Sequence, residues 1–164
     1  MLKELLSNKK SIILDRWIQS IDNSYPVETT KFLKSQKDRF SNPVGYSITN
    51  CAENLFNELL SSRSIQNYKA SLSDLIKIRA VQEFSPSQAI GFIFLLKQTI
   101  HNELESEIKA GMDSKELMEI DSSIDEMALA AFDLYMDARE KIFQIRVKEL
   151  KARLLFNEMN GAPE

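Results

Sequence analysis

An all-α single domain of about six helices is what this sequence predicts, and three observations carry the prediction. Four glycines and four prolines in 164 residues fall short of the roughly 7% and 5% of average usage, leaving too few residues for tight turns and sheet corners. Three of the prolines, Pro26, Pro43 and Pro86, each open an apolar-periodic segment, the position at which proline is pre-organised for a helix. Apolar residues then recur at spacings of three, four and seven along most of the chain, the signature of helices with one buried face. At 43% apolar content one core can be filled, and two independent domains are not expected.

The first helix is expected over Leu2 to Ile21, with Leu2, Leu6, Ile13, Trp17 and Ile21 on one face. Pro26 opens a short second helix that ends at Ser41, with Phe32, Leu33, Gln36 and Phe40 sharing a side. Asn42 is a good N-cap and Pro43 a good first residue for the third, whose stripe runs Val44, Ile48, Cys51, Ala52, Leu55, Phe56, Leu59 to about Ser62. The fourth carries Ile65, Tyr68, Leu72, Leu75, Ile76 and Val81. Ser85-Pro86-Ser87-Gln88 reads as a capping box that starts a fifth, the most apolar, reaching about Lys109. Gly111 supplies a left-handed exit, and Asp113 with Glu116 caps the start of the last helical stretch. From Ser114 to Met159 neither glycine nor proline occurs, so one long helix or two nearly collinear ones should span roughly 60 to 70 Å.

That last helix changes its apolar side. Ile124, Met127, Ala131, Tyr135, Ala138, Ile142 and Ile145 form a seam for the body, whereas Phe143, Val147, Leu150 and Leu154 lie displaced round the helix among charges. The second set reads as a dimer seam. Residues 1–142 are accordingly read as the helical body and 143–164 as an extension.

Composition excludes more chemistry than it suggests. Twenty-four acids against 21 bases give no global field for a nucleic-acid partner. One cysteine and one histidine cannot make a disulfide framework or a His/Cys metal cluster. Glycine-rich phosphate loops, GxSxG, HExxH and CxxC are absent, so no catalytic residue is assigned. Met1 to Lys10 mixes Lys3, Glu4, Lys9 and Lys10 with leucines, unlike an export signal. The apolar run from Ala89 to Leu96 is far too short to insert in a membrane. A reduced, buried Cys51 and a cytoplasmic location are expected. His101 alone could serve a cofactor, as a haem ligand with Phe92, Phe94, Phe132 and Tyr135 around it; the plainer reading is a half-buried histidine where its helix turns polar. Acids dominate from Glu103 to Glu126 and read as a solvated face, as do Lys31, Lys34 and Lys37.

One stretch is more specific. Trp17, Tyr25-Pro26, Phe32-Leu33 and the run Gln36-Lys37-Asp38-Arg39-Phe40-Ser41-Asn42-Pro43-Val44-Gly45 together resemble the N-terminal domain of RsbT co-antagonist proteins of the RsbRD type. The likeness is close from Leu5 to Leu60 and rests on helical layout beyond. It implies a non-catalytic sensory or regulatory module, related to non-haem globin-like inputs and usually linked to a STAS output domain in a stressosome-like complex. Stand-alone copies also occur, some near genes for anaerobic sulfur respiration. Glu164 falls about where a linker would enter the STAS half, so a signal would leave this chain by association with protein partners, a homodimer among them. The motif itself reads either as an architectural joint, with Trp17, Tyr25, Pro26, Phe40, Pro43 and Gly45 as its structural part, or as a ligand or partner site at Lys37, Asp38, Arg39 and Asn42. The alternative function is a globin-like haem or small-ligand sensor using His101.

Overall fold

A computed structural model describes residues 1–35, 38–61 and 64–161. Among them are nine helices and no strand: α1 (Leu2–Asn8), α2 (Lys10–Asn23), α3 (Val27–Ser35), α4 (Pro43–Leu60), α5 (Ile65–Val81), α6 (Pro86–Ile90), α7 (Phe92–Glu103), α8 (Glu105–Lys109) and α9 (Ser114–Asn160). The nine are the expected six with two of them kinked. The first divides at Lys9, where Lys9 N still bonds Leu5 O and Ile13 N bonds Lys9 O, so the chain bends without losing its ladder. Its Lys9 Nζ reaches Glu103 O and Glu107, both at 2.6 Å, which fixes the bend. The fifth divides at Gly91 and at Leu104.

Five helices close a circuit around one core: α9 packs on α5, α5 on α4, α4 on α2, α2 on α7, and α7 on α9. The apolar stripes point into it. Leu6, Ile13, Trp17, Ile21, Leu55, Phe56, Leu59, Leu72, Leu75, Ile93, Leu96 and Met127 are all buried. Cys51 is buried among them, a free thiol that burial pushes up to about 12, inert at neutral pH. No helix of the described residues is long and apolar enough to cross a membrane.

Several expectations are corrected at the edges. The second helix stops at Ser35 instead of Ser41, because Asp38 folds the chain into a turn, accepting from Ser41 N and Ser41 Oγ at 3.1 and 3.0 Å. Only Leu33 of its apolar side is buried; Phe32 is exposed and Phe40 stands 91% exposed, and Gln36 lies outside the described residues. Ile65 and Val81 are exposed at the two ends of α5. Ile145 is exposed as well, since the body ends before it.

Candidate interaction surfaces

The corner between α3 and α4 is built on Asn42, whose side chain is fully buried and committed at both ends. Its Oδ1 accepts from Gly45 N at 2.9 Å, and its Nδ2 donates to Leu33 O at 3.0 Å. One residue thus caps α4 and ties it to α3. Pro43 follows as the first helical residue. Gly45 is required by space: a Cβ there would sit 2.3 Å from Asn42 Nδ2. Asp38 spends its carboxylate on Ser41, and those hydrogen bonds hold its pKa below the ordinary carboxylate value. Trp17 and Tyr25 are structural too. The buried indole donates to Phe92 O at 2.7 Å, and the Tyr25 ring lies 5.6 Å from that of Phe84.

The four residues named as a partner motif are therefore divided. Asn42 faces inward, Asp38 is used locally, Arg39 faces outward, and Lys37 lies outside the described residues. Arg39 rests over the Tyr46 ring, its guanidinium carbon 5.9 Å from the centroid, beside exposed Phe40. Together they wall a groove that continues to Lys77 and Ile78 of α5. Arg39→Ala is expected to cost no more than about 0.5–1 kcal/mol, the worth of an exposed cation–π contact. Thermal unfolding tests this: a larger loss would make Arg39 part of the joint.

The protruding half of α9 is the second surface. Its root is anchored by Arg139 Nη1, which donates to Ala80 O at 3.0 Å, and by Arg146 Nη2, which donates to Glu83 Oε1 at 2.9 Å. Glu83 sits at φ 61°, a left-handed position that closes α5, and Arg146 holds its carboxyl below the usual range. Beyond Ile142 the apolar side of the helix is largely uncovered among the described residues: Phe143, Leu150 and Leu154 are exposed, Val147 half-buried. The body seam ends as expected of Ile124, Met127, Ala131 and Tyr135, which are buried, with Ala138 and Ile142 half so.

His101 belongs to neither surface. Its Nε2 lies 2.9 and 3.0 Å from the two carboxylate oxygens of Asp121, across the seam where α7 meets α9, and its side chain is about a third exposed. Of the aromatic residues grouped with it, Phe94 and Phe132 are exposed, and Tyr135 donates its hydroxyl to Phe84 O. The acids around it are not a bare solvated face. Lys97 holds Asp125 at 2.6 Å, Lys9 holds Glu107, and Arg16 holds Glu103. No cluster of metal-ligating side chains is found among the described residues.

Sequence reasoning missed Arg79. It is buried in the core, with its guanidinium carbon 5.4, 5.3 and 4.9 Å from the ring centroids of Tyr25, Phe84 and Phe92. Nη1 donates to Gln88 O at 3.0 Å and Ala89 O at 3.2 Å, carbonyls at the end of α6. The signal was its register: 79 continues the 68, 72, 75 spacing of the α5 stripe.

The described residues form a closed helical body with exposed large apolar side chains at the Phe40 corner and along α9, among other positions. The chain belongs to the RsbT co-antagonist protein rsbRD N-terminal domain family, whose model matches residues 12–150. That family is one of regulatory or stress-signalling modules. The chain is also 24% identical over 147 residues to an uncharacterized protein of Archaeoglobus fulgidus, the match covering 87% of this chain and 85% of the relative. No solved structure matches.

Proposed function

We propose that the chain is a non-enzymatic signalling module of the cytoplasm that takes its input on the helical body and passes it on through the arm of α9, self-associating along Phe143, Val147, Leu150 and Leu154. The observation that carries this reading is the uncovered apolar side of the arm. Burying an exposed leucine or phenylalanine is worth about 1.5–3 kcal/mol each, so a helix carrying several of them in water is stabilised by a partner helix. The Arg39–Phe40 corner supplies a second contact, for a further protein of the signalling complex. Light scattering on the full chain should report a dimer, and the double substitution Phe143→Glu with Leu150→Glu should return a monomer with unchanged helical circular dichroism. A monomeric unsubstituted chain sinks the dimer.

The haem reading needs Asp121 to release His101 Nε2 and an enclosed apolar space beside that ring. The expected result of adding hemin is no Soret shift. A five-coordinate haem spectrum that disappears in His101→Ala would replace the present reading with the sensor one.

A further inference from the structure

The arm's apolar seam does not begin at Phe143. Leu129, Met136, Phe143 and Leu150 stand 68%, 48%, 67% and 58% exposed at intervals of seven residues, which places them in an almost straight line on a helix of 3.6 residues per turn. Exposed Phe132 and Leu154 and half-buried Val147 widen the line. Its first part lies on the outer side of α9 where the opposite side, at Met127, Ala131 and Tyr135, is sunk in the body. Its second part lies on the free arm. The stripe from 129 to 154 is therefore one surface, roughly 38 Å long at 1.5 Å per residue, and its midpoint falls at 141–142.

Charge changes sign at the same place. Between 125 and 140 α9 carries Asp125, Glu126, Asp133, Asp137 and Glu140 against Arg139; between 141 and 153 it carries Lys141, Arg146, Lys148, Lys151 and Arg153 against Glu149. Asp125, Asp133 and Arg146 are paired within the chain, with Lys97, Lys69 and Glu83. Glu126, Asp137 and Glu140 on one side, and Lys148, Lys151 and Arg153 on the other, make no ion pair among the described residues.

We propose that a second copy of this chain lies antiparallel along the outer face of α9, with a two-fold axis near residues 141–142. This rests on the self-association reading above and fixes its partner, extent and orientation. In that arrangement Leu129 of each copy comes opposite Leu154 of the other, Met136 comes opposite Val147, and the two Phe143 rings flank the axis. The acidic half of each helix then faces the basic half of the other. A parallel pair would set acids against acids and bases against bases, a juxtaposition that opposes association. The two bodies sit on the far sides of the helix pair, at opposite ends, and do not compete for the same space.

The test uses full-length chains carrying Leu129→Cys or Leu154→Cys with distinguishable tags. Both positions are exposed, so the fold is not at risk, and buried Cys51 serves as the internal control. Under mild oxidation the mixture should give the mixed 129–154 disulfide, and neither protein alone should cross-link to itself. Self-linked Leu129→Cys or Leu154→Cys dimers would establish a parallel pair and overturn the orientation while leaving self-association intact. A monomer by light scattering overturns both. A dimer with no cross-link in any mixture removes the stripe as the interface.

Discussion

Arg79→Ala should destabilise the fold by about 3–5 kcal/mol, a drop in melting temperature on the order of 10–15 °C for a chain of this size. Three losses combine. The carbonyls of Gln88 and Ala89 lose their donor at the end of α6, where the helix breaks at Gly91 and backbone oxygens are left over, and a buried acceptor left unpaired costs about 1–3 kcal/mol. The rings of Tyr25, Phe84 and Phe92 lose a desolvated cation, worth about 2 kcal/mol. The core also keeps a cavity. The opposing term is the desolvation of the guanidinium, whose Nε and Nη2 have no hydrogen-bond partner among the described residues. Arg79→Met separates the contributions, because it refills the space without a charge. The expected result is a smaller loss, of about 1–3 kcal/mol, set by the two orphaned carbonyls. If Arg79→Met proves as stable as the unsubstituted chain, capping of α6 is not what the buried arginine contributes.

Arg79 also shows where pattern reading ends. A charged residue at an apolar register is legible as an anomaly, but whether it is buried depends on what surrounds it, and its three rings come from α2's exit, from the segment before α6 and from α7. Helix starts were readable because a capping side chain acts within four residues, with a proline after it at Asn42 and Ser85 and without one at Asp113. Kinks were not, because the bend at Lys9 is held by α7 and α8, nearly a hundred residues away. The same distance hid the fate of the acidic run. Nothing near Glu103 or Glu107 in sequence announces that Lys9 and Arg16 will meet them. Phe40 failed in the opposite sense: it kept the period of a helix that the Asp38 turn had already ended. The outward seam of α9 was visible only in part, because Leu129 and Met136 share a stretch of helix with buried residues and reveal themselves only once the buried side is known.

Asn42→Ala should cost about 2–4 kcal/mol, and Gly45→Ala a similar amount. Loss of an N-cap is worth about 0.5–2 kcal/mol. Asn42 carries more than a cap, because its amide nitrogen also satisfies Leu33 O in a buried place, and that acceptor has no water to turn to. Substituting Gly45 reaches the same end from the other side. The added Cβ lies within 2.9 Å of three Asn42 side-chain atoms, so the asparagine must leave its position and both bonds break together. The two substitutions act on one set of contacts, so the double variant should lose little more than either single one, with a coupling of about 1–3 kcal/mol in a double-mutant cycle. Additive losses would mean that Gly45 matters for some other reason. If Arg39 and Phe40 form a contact surface, both variants should weaken it, because the turn that presents them is held to α4 through the Asn42 backbone, whose N–H donates to Asp38 O at 2.8 Å. Arg39→Ala would weaken the same contact at almost unchanged stability, and that contrast separates the joint from the surface it carries.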